Sequence, residues 1–116
     1  MTIARIRELL DARVLTGDDH LDADIAVACG CDLMSDVLAF AKENMALLTG
    51  LTNQHSVRTA EMLDVRLVVY VRGKQPTPDV VEMAAERDIA LLATDLTLFN
   101  ACGMLYANGM AGDSKG

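Results

Sequence analysis

Tryptophan is absent from this 116-residue chain, and two phenylalanines and two tyrosines make up its whole aromatic content. Any core must therefore be aliphatic, and 52% hydrophobic residues are enough to fill one. Cations are also scarce, with ten Lys and Arg against seventeen Asp and Glu and a formal charge of −7. Nucleic acids and anionic membranes are held by basic faces, so neither is expected as a partner. No apolar run approaches the ~20 residues of a membrane span. Nor does an apolar signal-type segment follow Met1-Thr2-Ile3-Ala4-Arg5. Cysteine is limited to three residues, and Cys29 and Cys31 are too close along one strand for an ordinary disulfide. A reducing compartment, the cytoplasm, is the expectation. The length suits one domain and is too short for two.

Several catalytic signatures are missing too. A P-loop requires G-x-x-x-x-G-K-[ST], and the nearest stretch, Gly50-Leu51-Thr52-Asn53-Gln54-His55-Ser56, lacks the second glycine and the lysine. No G-x-S-x-G elbow is present, and Ser35 and Ser56 read as a helix cap and a first-turn residue. Cys29-x-Cys31 could ligate a soft metal, but a closed zinc site needs four ligands. Cys102, His20 and His55 lie in separate parts of the sequence. Alternating cysteines in a strand usually pack, so no metal, cofactor or catalytic residue is expected.

What the chain does have is a strand–loop–helix unit at residues 65–78. Leu67-Val68-Val69-Tyr70-Val71 is the most continuous apolar run rich in β-branched residues and suits a strand buried on both faces. A polar turn, Arg72-Gly73-Lys74-Gln75-Pro76, leads to Thr77 as a helix N-cap and Pro78 as the first helical residue. The same design occurs three times: strand 45–49 with helix 53–64, strand 66–71 with helix 78–87, and strand 89–93 with helix 96–107. Upstream, residues 2–12 read as a helix capped by Thr2, 13–16 as a short strand, and 22–31 as a strand or extended loop. Residues 35–44 read as a helix capped by Ser35, with Val37, Leu38 and Ala41 as its apolar stripe. Strands alternating with helices predict a single layered α/β domain with a mostly parallel sheet. Residues 109–116, rich in glycine, are expected to form a disordered tail.

Residues 21–38, LDADIAVACGCDLMSDVL, resemble the signature region of DRTGG domains. In that family an Asp-Arg pair, a short strand and a glycine pair lead into a Ser-Asp-containing helix start. Leu21, Asp22, Asp32, Leu33, Met34, Ser35 and Asp36 match. The element order, Thr49-Gly50, the Arg-Gly-Lys loop and the Leu-Leu-Ala-Thr strand extend the likeness over residues 3–107. Ala23 stands where the family has its arginine, and Val27 and Ala28 where it has its glycines, so no role of those residues carries over. The resemblance implies a DRTGG-like domain over residues 1–108, with the fold of the N-terminal domain of HPr kinase/phosphorylase. It further implies a non-catalytic regulatory or protein-interaction module acting as a homodimer. Stand-alone relatives suggest an accessory to anaerobic redox or energy metabolism.

Two groups of residues are candidate sites. If the three later strands are parallel, their C-terminal ends bring Thr49, Gly50, Thr52 and Asn53 beside Arg72, Gly73, Lys74, Thr94 and Asp95. Such a rim could hold an anionic small molecule, a nucleotide or phosphorylated metabolite, at helix N-termini. The plainer reading is a set of caps and one solvated turn. The final helix is apolar on more than one face, and Leu98, Cys102 and Leu105, with residues 24–31, are the expected homodimer contact. A second copy or another protein are both open as partners.

Overall fold

The computed structural model describes residues 1–40 and 42–112. Six strands form one sheet in the order β1-β5-β4-β3-β2-β6. These are β1 (Arg13–Thr16), β2 (Val27–Gly30), β3 (Met45–Thr49), β4 (Leu67–Tyr70), β5 (Ala90–Ala93) and β6 (Ala111–Gly112). The pairs β6–β2, β2–β3, β3–β4 and β4–β5 are parallel, and only β1 runs antiparallel, against β5. The helices are α1 (Ile3–Leu10), α2 (Met34–Phe40), α3 (Gln54–Met62), α4 (Pro78–Glu86) and α5 (Leu98–Ala107). The mostly parallel α/β sheet is the one the three βα repeats predict. Among the described residues no helix is long and apolar enough to cross a membrane.

Every residue of β3, β4 and β5 is buried. Alternate side chains explain why. Ala46, Leu48, Leu67, Val69, Ala90 and Leu92 pack on one face with Ile3, Ile6 and Leu10 of α1 and Ala101 and Leu105 of α5. Met45, Leu47, Val68, Tyr70 and Leu91 pack on the other with Val37 of α2, Val57 and Ala60 of α3, and Val80 and Ala84 of α4. Two helices thus cover one face and three the other. A run such as Leu-Val-Val-Tyr, with no polar alternation, is stable as a strand only where both faces are covered.

The helices return to the sheet by one repeated device. Asp11, Asp64, Asp88 and Gly109 follow four of the helices with left-handed φ values of 48°, 55°, 56° and 101°. The next residue then donates its N–H back to the last turn: Ala12 to Arg7, Val65 to Ala60, Ile89 to Ala84 and Met110 to Leu105, at 2.8–3.0 Å. This is the Schellman arrangement, in which the apolar residue after the left-handed one packs on the helix it leaves. Val65, Ile89 and Met110 are all buried.

Three boundaries differ from the sequence reading. Helix α2 starts at Met34, so Ser35 lies inside its first turn; the Leu33 carbonyl accepts from Asp36 and Val37. The chain leaves the sheet at Cys31, whose N–H bonds to Leu48, and turns at once. Leu38 is exposed, and Ala41 of the expected stripe lies outside the described residues. Helix α5 starts at Leu98 rather than at residue 96, because Thr97 caps it through Asn100 N–H at 3.2 Å. The segment expected to be disordered from residue 109 begins as structure. Gly109 completes the turn after α5, Met110 is buried, and Ala111 and Gly112 pair with Val27 and Ala28. Residues 113–116 of that expected tail lie outside the described residues.

The left-handed turns provide a test. A β-branched side chain is an outlier at positive φ, so Asp64→Val should cost about 1–2 kcal/mol in urea unfolding. Asp64→Gly should leave stability equal or higher, and a destabilised glycine variant would show that the aspartate side chain holds the turn.

Candidate functional site

The C-terminal ends of the parallel strands gather the rim that the sequence suggested, and a residue outside that set organises it. Because Gly30 stands opposite Leu48 in the β2–β3 ladder, the chain after β2 passes beside the end of β3. There Asp32 Oδ1 accepts from the Gly50 N–H at 2.7 Å and from the Thr49 hydroxyl at 2.9 Å. The Gly50 N–H holds the Asp32 carboxyl below the ordinary carboxylate range; burial opposes it, and the Thr49 hydroxyl and then the charges of Arg72 and Lys74 add to the lowering. The rim therefore already holds an anion, and that anion is part of the chain.

The candidate residues take distinct positions around it. Thr49 is fully buried, and its oxygen also accepts from Leu51 N–H at 3.1 Å. Thr52 is half-buried, and Asn53 caps α3 by accepting from His55 N–H at 3.0 Å. Lys74 Nζ reaches back to the Gly50 carbonyl at 3.4 Å. Arg72 and Gly73 both have left-handed backbone, with φ of 62° and 69°, and Lys74 N–H closes the turn on Val71 at 3.2 Å. The turn is pinned to the neighbouring strand's end, Arg72 N–H bonding Leu96 at 2.8 Å and Gly73 N–H bonding Thr94 at 2.9 Å. A side chain at Gly73 would be strained at that φ, and its Cβ would lie 3.1 Å from Asp95 Oδ1. Asp95 in turn faces Arg13 at 3.8 Å.

Two hydroxyl turns frame this rim. Thr94 repeats what Thr49 does: its oxygen accepts from Leu96 N–H at 3.2 Å while its hydroxyl donates to the Leu10 carbonyl at 2.7 Å. Their shared pattern, Thr-Gly-Leu-Thr at 49–52 and Thr-Asp-Leu-Thr at 94–97, is legible in the sequence as a repeated side-chain turn. Below the rim, Ser56 donates to the Asn53 carbonyl at 2.8 Å and so accepts from the buried Tyr70 hydroxyl, also at 2.8 Å. This chain ties the start of α3 to the centre of the sheet. Burial pushes the Tyr70 phenol above its ordinary range, and the Ser56 bond only partly opposes it.

The cysteines do not converge. Cys29 is buried among α2, α3 and α4, whereas Cys102 lies on the opposite face, where a Cβ on Gly30 would meet its sulfur at 2.5 Å. Burial raises the Cys102 thiol pKa. Among the described residues, no three His, Cys, Asp or Glu side chains gather as a metal site.

The structure places the expected interface residues on α5 at different depths. Leu105 is 1% exposed and belongs to the core, and Leu98 and Cys102 are half-buried against it. An apolar helix gives no phase by itself; the Thr97 cap and the packing on α1 and β2 set which side turns inward. The outward residues of α5 include Phe99, Met104 and Tyr106.

With a TM-score of 0.74 over 90% of its length, the chain is similar to the CBS and DRTGG domains of the regulatory region of Clostridium perfringens pyrophosphatase. The fold is DRTGG-like. Identity over that match is 17%, a level that speaks for fold alone, and the chain spans 45% of the matched one. The matched region was crystallised with its activator, diadenosine tetraphosphate. No family model and no curated protein matches the sequence. In this DRTGG-like fold Asp32 is the rim residue that the sequence reading placed only within a motif, without a role.

Two measurements test the site. Asp32 has a lowered folded pKa, so its contribution is complete above the ordinary carboxylate range near pH 3.9 and disappears as pH falls through the lowered value. Asp32→Ala should melt earlier than wild type at pH 7, with the gap closing as pH falls below the ordinary carboxylate range; a gap independent of pH would remove the charge from the account. Ser56→Ala should cost about 1–3 kcal/mol by leaving a buried phenol unpaired, more than the roughly 0.5–1.5 kcal/mol for Tyr70→Phe. Equal costs in urea unfolding would mean that the hydroxyl pair does not act as described.

Proposed function

We propose that this chain is a non-catalytic regulatory module. Its support is the similarity to a regulatory region of an enzyme, together with what the rim hydroxyls do. Thr49, Ser56 and Thr94 are buried and each donates to an acceptor within the chain, which suits structural parts rather than nucleophiles. Attack by a hydroxyl requires a neighbouring base free to take its proton, and these hydroxyls serve carbonyls and a carboxylate holding other contacts. An accessory role in anaerobic redox or energy metabolism belongs to the same reading.

A second reading is that the rim senses an anionic small molecule of the nucleotide or phosphorylated class. One observation favours it: Arg72 stands in left-handed backbone. A long side chain there costs about 1–2 kcal/mol relative to glycine, and such strain is concentrated where a side chain is needed in one place. With Lys74 and the start of α3 it makes a cationic edge, on which a phosphate would compete with Asp32 for the Gly50 N–H.

Magnesium ATP separates these readings from catalysis. The purified chain should release no phosphate and label no protein serine; turnover that follows the chain through repeated purification would overturn the regulatory reading. Calorimetry with ATP and with diadenosine tetraphosphate tests the second. Arg72→Gly should raise thermal stability while weakening binding at least tenfold. Binding unchanged by Arg72→Gly and Lys74→Ala would remove the rim as the site.

A further inference from the structure

Helix α2 is the least anchored of the five. Of its residues only Val37 is buried, whereas α1, α3, α4 and α5 bury two to four each. Leu33 just ahead of it is 59% exposed, and Leu38 and Phe40 on it are exposed as well. An element with so little core contact opens at low cost, and switching elements are drawn from such places. What ties its start to the sheet is the segment 31–33. Cys31 N–H bonds the Leu48 carbonyl at 3.0 Å, and its thiol donates to the Leu33 carbonyl at 3.4 Å. Past Cys31, the hold on the sheet is the pair of bonds that Asp32 accepts from Gly50 and Thr49.

A carboxylate is not the best-matched anion for the place it occupies there. One oxygen, Oδ1, takes both donors. A side-chain carbon built on Gly50 would lie 3.6 and 3.7 Å from the two Asp32 oxygens and 3.8 Å from Lys74 Nζ, so carboxylate and ammonium face one spot. Lys74 Nζ bonds the Gly50 carbonyl at 3.4 Å instead of the carboxylate. A phosphate monoester has three terminal oxygens and a charge of about −1.5 to −2. It can take the Gly50 N–H, the Thr49 hydroxyl and the Lys74 ammonium together. A phosphodiester, with a single charge, offers little beyond what Asp32 already provides.

Asp32 has the advantage of its tether. A group attached a few residues away competes at a high effective concentration, so weak or singly charged anions lose to it. An anion that wins removes both Asp32 bonds at once, because they share one oxygen. The exposed Leu33 gives the freed segment no second anchor. Occupancy of the rim and the hold on α2 are therefore mutually exclusive, which is the coupling a regulatory element requires.

We propose that Asp32 is an autoinhibitory latch, a tethered anion covering a subsite for a terminal phosphate made of the Gly50 N–H, the Thr49 hydroxyl and Lys74 Nζ. A phosphate monoester that takes its place releases residues 32–33 from the sheet and loosens α2. The proposal rests on the reading of the rim as an anion sensor. It adds the class of ligand, the internal competitor and the element that responds.

Calorimetry with inorganic pyrophosphate and amide hydrogen exchange test it on the full chain. Asp32→Ala should bind pyrophosphate at least tenfold more tightly than wild type, and adding Lys74→Ala should remove the gain. Asp32→Asn, which keeps the shape and a neutral acceptor, should fall between the two. Asp36→Asn takes away the same charge four residues further on and should bind as wild type does. The Asp36 and Val37 amides bond the Leu33 carbonyl at 3.0 and 3.3 Å. They should exchange at least tenfold faster in Asp32→Ala than in wild type, and as fast in wild type saturated with pyrophosphate. Pyrophosphate binding that both Asp32 variants leave unchanged or weaken would overturn the latch while leaving the rim a sensor. No binding by wild type or either variant would overturn both readings together. A gain shared by Asp36→Asn would reduce the effect to general charge and overturn the latch, as would exchange that saturation leaves unchanged.

Discussion

Burial of β3, β4 and β5 on both faces leaves those strands no place for a free polar side chain. Backbone donors and acceptors satisfy one another along the ladders, and every polar requirement moves to the strand ends. At one end the chain must come off a helix and enter a strand within two or three residues. The left-handed Asp or Gly followed by a buried Val, Ile or Met does this at β4, β5 and β6. At the other end β3 and β5 run into buried threonines, Thr49 and Thr94, whose hydroxyls bond two ways. An unpaired hydroxyl at that depth would cost about 1–3 kcal/mol, so the turns and the core are one constraint seen from two places.

The parts of the fold legible in the sequence are those fixed by local pattern. Leu67-Val68-Val69-Tyr70 admits little besides a covered strand, and Thr77-Pro78 begins a helix. Asp32 was harder to see as a site residue because its partners, Thr49 and Gly50, are set by the β2–β3 register, a non-local pairing. The pairing of β6 has the same origin: Ala111 and Gly112 have no strand pattern and are ordered by β2. A local clue did exist, since Asn108-Gly109-Met110 is the same turn as Leu63-Asp64-Val65. On α5 the difficulty was different. A helix apolar all round has no weak side, so periodicity could not tell Leu105, in the core, from Tyr106, on the surface.

Asp32 also sets the conditions for the sensing reading. In many α/β folds the free N–H groups at a strand's end receive an anion from solution. Here the Gly50 N–H is already bonded to a carboxylate held close by geometry. A competing phosphate must exceed that intramolecular bond, and Arg72 and Lys74 are the groups able to supply the difference. On that reading the internal anion would set a threshold, favouring ligands with more than one negative charge over a single carboxylate.

Strand β2 runs from the surface beside α5 to the rim. Gly30 lies against Cys102 and lines an apolar hollow beside α5. Two residues later Asp32 holds the end of β3. A regulatory module needs a physical connection between what it senses and what it contacts, and that connection must differ between two states. Release of Asp32 from Gly50 would free the segment leading into α2, and the Cys31–Leu48 bond is the last ladder contact between that segment and Gly30.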